Sequence, residues 1–266
     1  MKNILQEIVD YKKKEIIDSK KSLPEIEIIN FLKENGQTKK FFKALIDKNK
    51  KDLPGIIAEI KKYSPSKGEL RKDFNPPNIA KEYEKGGAAC LSILTDFPSF
   101  QGKLGHIKTV KEVSSLPIIR KDFIIDTYQI YESKFYGADC ILIIMKIVSK
   151  TQAKELKKLA EELDLDVLIE VQSEEEVEKA LYLNPKMIGI NNRNLENFST
   201  NIENSIKITR LIPKRILVIS ESGISNSKHI NLLMDSGINN FLIGESLMKS
   251  DNISNKLKSL IKSSVR

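Results

Sequence analysis

The chain has 266 residues, 40% of them hydrophobic and 30% charged, enough for one large α/β domain and unlike disordered, fibrous or disulfide-framework compositions. No apolar run reaches the roughly 20 residues that span a bilayer, and Lys2, Gln6, Glu7, Asp10 and Lys12 interrupt the N-terminus where a secretory signal would be apolar, so a cytoplasmic protein off the membrane is expected. The net charge of +8 comes from lysines that alternate with glutamates, as in Lys154-Glu155 and Glu178-Lys179, which describes a solvated surface and no nucleic-acid stripe; the positive excess favours a small anionic substrate.

In chain order, residues 1–53 come before any strand pattern. Ile4, Leu5, Ile8, Ile16 and Ile17 recur at helical spacing, and Phe41, Phe42 and Leu45 form a second apolar patch. They predict helices that cover the N-terminal side of the following fold or lie along its rim, an extension within a single domain spanning 1–266. From Gly55 onward, short β-branched runs at 56–61, 90–95, 117–121, 140–144, 166–171, 187–191, 216–220 and 240–244 alternate with segments of helical period. Gly-Ala recurs just before strands as Gly87-Ala88 and Gly137-Ala138, with Gly237-Ile238 in the equivalent late position, so a glycine ends each of these helices. Eight βα units without a break in connectivity predict an α/β fold of the (β/α)8 TIM-barrel class, with the open doubly wound sheet as the competing architecture. Cys90 and Cys140 sit inside apolar runs and are expected to be buried thiols. His106 and His229 have no companions at metal-ligand spacing, so no metal site is expected.

In a barrel of this class chemistry belongs at the C-terminal ends of the strands. The first strand ends in Glu59 and Lys61, on one face because strand side chains alternate. The loop Ser64-Pro65-Ser66-Lys67-Gly68 that follows is polar and glycine-hinged. The third strand ends in Lys121, the fifth in Glu170, the sixth in Asn191 and Arg193, the seventh in Glu221 and Ser222. So many charges at equivalent positions are costly to bury unless they serve a site. Glycine turns at Ser222-Gly223 and Gly244-Glu245, with a short helix expected to begin near Ser246, predict a phosphate cradle of backbone N–H groups. Glu245 is expected to turn its carboxylate away from the anion.

Taken together, the blocks AEIKKYSPSKG (58–68), PIIRKDFIID (117–126), VLIEV (167–171), IGINNRNL (188–195), VISESGI (218–224) and FLIGESLM (241–248) closely resemble indole-3-glycerol-phosphate synthase, over essentially the whole chain. That resemblance implies closure of 1-(2-carboxyphenylamino)-1-deoxyribulose 5-phosphate to indole-3-glycerol phosphate, with loss of carbon dioxide and water and without cofactor or metal. It assigns Lys121 as general acid, favoured by a pKa lowered among other cations, and Lys61 and Glu170 as the proton donor and base of dehydration, in a division left open. Glu59 would orient Lys61. Asn191 would hold a substrate hydroxyl and position Glu59. Arg193 and Lys61 would meet the anthranilate carboxylate. Phe100, Phe123, Leu142 and Leu195 would form the aryl slot, Ser64 would touch substrate, and Ser222, Gly223, Gly244 and Glu245 would hold the phosphate. Asn192, where relatives often carry Ser, and Glu245, where some carry a small residue, are departures. A monomer is expected, with weak association with other tryptophan-pathway enzymes left open. The rival readings are another phosphate-binding barrel, such as phosphoribosylanthranilate isomerase, and a basic nucleic-acid-binding protein.

Overall fold

A computed structural model describes residues 4–34, 37–194 and 199–262. Eight parallel strands close into a barrel: β1 (Gly55–Ile60), β2 (Cys90–Leu94), β3 (Ile118–Lys121), β4 (Cys140–Ile144), β5 (Asp166–Val171), β6 (Met187–Asn191), β7 (Leu217–Glu221) and β8 (Asn240–Ile243). Closure runs through β1 and β8, where Gly55 stands opposite Asn240 and Ala58 opposite Ile243. The competing open sheet is thereby set aside. Each predicted strand is present with edges moved by a residue or so, and one of these shifts has a consequence: β7 extends to Glu221, so that side chain belongs to the strand.

The period of two sorts the side chains. On β1, Ile56, Ala58 and Ile60 pack outward under the helices, while Ile57 joins Ile119, Leu142, Leu168, Met187, Ile219 and Leu242 inside the barrel. Burying both faces of every strand accounts for the near-continuous apolar runs read in the sequence. The helices between the strands start on side-chain caps. The Asn75 side chain accepts from the Asn78 amide, Asp126 and Gln129 make a reciprocal capping box, and Ser149 and Ser173 cap the next two. The glycines of the repeat, Gly87, Gly137 and Gly237, have φ of 94°, 92° and 85°, the left-handed conformation that ends a helix at little cost only for glycine.

The N-terminal helices occupy both ends of the barrel. The helix α3 (Phe41–Asn49) closes the N-terminal end, with Phe41 and Leu45 fully buried against the interior layer. The first helix, α1 (Ile4–Ser22), leans over the opposite, C-terminal mouth and buries Leu5, Ile8, Lys12 and Ile16, the residues of one helical stripe. Between them α2 (Glu25–Glu34) packs on the helix Thr127–Phe135. Cys90 and Cys140 are buried unpaired thiols near the floor, pushed well above the usual thiol range by burial. Among the described residues no helix is long and apolar enough to cross a membrane.

Candidate active site

A cavity of about 510 Å³ opens at the C-terminal mouth, within the size range of small-molecule sites. Its floor is a cluster of inward-facing charges. Lys121, the last residue of β3, places Nζ 2.6 Å from Glu170 Oε2 of β5 and 3.3 Å from Glu221 Oε2 of β7. Asn191, ending β6, donates to Glu170 Oε1 at 3.1 Å and accepts from the Ser222 hydroxyl at 2.9 Å and the Arg193 amide at 3.0 Å. Lys61, just past the end of β1, donates to Glu59 of that strand, so the two same-face charges of the first motif meet each other.

Two details differ from expectation. Lys121 is surrounded by carboxylates and not by cations. Burial alone would lower its pKa, but Glu170, Glu221 and Glu59 outweigh it and raise the ammonium well above its ordinary value. Asn191 positions Glu170, with its other contacts to Ser222 and Arg193, and makes no hydrogen bond to Glu59. Glu245, a residue of the cavity lining, holds its carboxylate between two cations, 2.8 Å from Lys249 and 3.6 Å from Arg193. Burial would raise its pKa, and Lys249 more than offsets this, holding the carboxyl below its usual range.

Glu221 is the residue whose importance the sequence understated. Its side chain is 2% exposed and its Oε1 has no partner among the described residues. Burial pushes its pKa up, Lys121 opposes, Glu170 adds to the rise, and the carboxyl is raised to about 8. The alternation of Ile219 and Glu221 carries the signal, since a strand that runs one residue further than 220 turns Glu221 inward. A side chain at Gly189 of the neighbouring strand would collide with Glu221 Oε1, so that glycine makes room for the carboxylate.

Around this floor, Phe100 and Phe123 stack with centroids 6.3 Å apart and form an apolar wall with Leu142. Leu195 lies outside the described residues. On the other side stand Ser222, Gly223, Gly244 and Glu245, with Ser246, Lys67 and Lys249 added to those read from sequence. The short helix Glu245–Met248 begins one residue before the expected start. Gly223, at φ 81°, lies so close to Thr200 that a Cβ would meet its Cγ2 at 2.5 Å, a conformation and approach suited to glycine. Ser64 is elsewhere: it lines a side cavity of about 90 Å³ between α1 and the mouth, which shares Lys61, Phe100, Phe123, Arg193 and Glu245 with the main one. Arg193 reaches the Ser66 hydroxyl at 3.1 Å, tying the loop after β1 to the end of β6. No cluster of His, Cys, Asp and Glu with metal-holding geometry occurs among the described residues.

The closed parallel barrel with acids, bases and a glycine-lined recess at its C-terminal mouth defines a (β/α)8-barrel enzyme. The family model for indole-3-glycerol phosphate synthase matches residues 5–260. A protein named indole-3-glycerol phosphate synthase from Legionella pneumophila (strain Paris) is 46% identical over 261 residues, covering 98% of this chain and 99% of its own. One of the same name from Acinetobacter baylyi is 44% identical, covering 92% and 91%. The chain belongs to the indole-3-glycerol phosphate synthase family, lyases of tryptophan biosynthesis, and the isomerase and nucleic-acid readings are not favoured. Among solved structures, KGPDC from Streptococcus mutans superposes with a TM-score of 0.61 at 11% identity, covering 79% of this chain and 97% of that one, a likeness of fold alone.

Proposed function

We propose that the mouth of the barrel converts 1-(2-carboxyphenylamino)-1-deoxyribulose 5-phosphate to indole-3-glycerol phosphate, and that the observation carrying this reading is the Lys121–Glu170–Glu221 cluster at the foot of a cavity with one apolar and one glycine-lined wall. The aryl ring lies against Phe100, Phe123 and Leu142. The phosphate lies at the turns of Ser222-Gly223 and Gly244-Glu245, where Lys249 adds positive charge. Arg193 and Lys61 face the carboxylate, held loosely enough that it can leave.

Ring closure joins the carboxylate-bearing aryl carbon to the carbonyl carbon. The nitrogen lone pair drives the ring electrons into the new bond, the carbonyl π pair moves to oxygen, and Lys121 delivers a proton there. A lysine raised in pKa is a weak acid in the resting site but is fully charged, so it stabilises negative charge building on that oxygen as well as protonating it. Breaking the C–CO2 bond then returns its electron pair to the ring system. In dehydration Glu170, oriented by Asn191, takes the proton of the secondary amine, and the nitrogen electrons pass through the ring to expel the hydroxyl, which leaves as water with a proton from Lys61. Transfer of a C2 proton to nitrogen completes the indole. Glu59 holds Lys61 in place. Ser64, in the side cavity beneath the loop, contacts substrate only through movement of that loop.

We read the acting unit as a single cytoplasmic chain; sedimentation velocity at assay concentration checks the first point and cell fractionation the second. The reaction is tested with carboxyl-labelled substrate in EDTA. The expected result is labelled carbon dioxide released in step with indole fluorescence. Folded protein that yields neither contradicts the reading.

A further inference from the structure

A second group of buried charges lies behind the end of β3 and beneath α1, with Asp96 and Asp122 bordering the cavity. Lys12 is 3% exposed, and its Nζ stands 2.7 Å from Asp96 Oδ1 and 2.9 Å from Asp122 Oδ1, with Glu15 at 2.6 Å on the solvent side. Asp96 follows β2. It accepts from the Ser99 amide at 3.0 Å, capping the turn Phe97–Phe100, and from the Tyr11 hydroxyl of α1 at 3.0 Å. Asp122 follows Lys121 and accepts from the Phe123 amide at 2.8 Å, the Thr95 hydroxyl at 2.5 Å and Arg120 at 3.0 Å.

One ammonium therefore joins the stretch that carries Phe100 to the stretch that carries Lys121 and Phe123. A buried lysine is not what α1 needs for packing. Leu5, Ile8 and Ile16 occupy the same stripe, and an apolar residue there would pack without the cost of stripping water from a charge. Although burial opposes its charge, Asp122 and Asp96 more than compensate, and Lys12 stays protonated well above its ordinary range.

We propose that Lys12 is a positioning residue for the aryl half of the site: by clamping Asp96 to Asp122 it sets the spacing of Phe100 and Phe123, and α1 thereby contributes to substrate fit without touching the reacting atoms. This rests on reading the two rings as the aryl wall. Lys121 itself is held from the opposite side by Glu170 and Glu221, so the clamp governs binding more than turnover.

The test is steady-state kinetics of Lys12→Met, with inorganic phosphate as competitive inhibitor. The expected result is a KM raised about tenfold or more, kcat within about threefold, and an unchanged phosphate inhibition constant. A wild-type KM in a folded variant, whatever its melting temperature, overturns the clamp, as does an equal loss of phosphate affinity, which would mean general loosening. Should Lys12→Met not fold, Lys12→Met combined with Asp96→Asn removes one carboxylate with the ammonium while still lacking the clamp, and the same KM rise is required of it. Wild type that turns over no substrate removes the synthase reading and the clamp together. Active wild type with unmoved variant kinetics removes the clamp alone.

Discussion

Arg120, Lys121 and Asp122 are consecutive, yet they belong to two charge clusters of different character. Alternation sends Lys121 into the cavity, where it meets Glu170 and Glu221 and where Glu221 Oε1 has no partner among the described residues. Arg120 points the other way, and Asp122, although it borders the cavity, gives its carboxylate to Arg120, Thr95 and Lys12. There Arg120 satisfies Asp122 at 3.0 Å, Glu132 at 2.9 Å, and the Gln129 carbonyl and Ser133 hydroxyl at 3.1 Å each, while Lys12 completes the set. No buried side-chain nitrogen or oxygen of the outward cluster lacks a partner among the described residues. The inward one leaves Glu221 Oε1 without a protein partner among the described residues, a cost that a purely structural cluster would avoid.

The contrast breaks if the two clusters respond alike. The largest effect is expected at Lys121→Ala, where kcat falls about 10²-fold or more while KM stays within a few-fold, as loss of a general acid requires; near-normal turnover removes Lys121 from the mechanism. Arg120→Met should act in the opposite sense, costing about 3–5 kcal/mol in chemical denaturation because it strands buried carboxylates, with kcat of the folded fraction changed far less than in Lys121→Ala. Gly223→Val should raise KM about tenfold with kcat nearly kept, because the φ of 81° and the 2.5 Å approach to Thr200 leave no room for a side chain beside the phosphate. A change confined to kcat would move the phosphate elsewhere.

The smallest effect sharpens the comparison through pH. Glu221 holds its proton up to about pH 8 in the folded chain but only to the ordinary carboxylate range near 4.3 when unfolded. Its contribution therefore favours the fold fully below that range and declines as pH rises toward 8. Glutamine cannot ionise, so the melting temperature of Glu221→Gln relative to wild type should climb by a few degrees between pH 5 and 8 and then level. A difference that stays flat across that window would mean Glu221 is already ionised in the native state.

Much of this was legible in the chain because βα alternation and glycine-terminated helices are local signals, and because charges at the ends of apolar strands have few structural explanations. The partners were less legible. That Asn191 serves Glu170, that carboxylates ring Lys121, and that Glu245 faces Arg193 depend on which strands lie opposite across a closed barrel, and no spacing along the chain reports that. Lys12 is the clearest case. Within Tyr11-Lys12-Lys13-Lys14-Glu15 it resembles its solvated neighbours, and its only mark is its place on the stripe of Leu5, Ile8 and Ile16. Ser64 is a related case, since the sequence cannot tell which of two adjoining cavities a short loop overlooks.

The most direct measurement is a single turnover of Lys121→Ala at saturating substrate beside wild type, followed by indole fluorescence, with substrate affinity of the variant determined in the same preparation. The inward cluster as seat of the chemistry predicts affinity within about threefold and a rate at least about 100-fold slower. Wild-type rate in the variant, or lost affinity with an unchanged rate once substrate is bound, would contradict it.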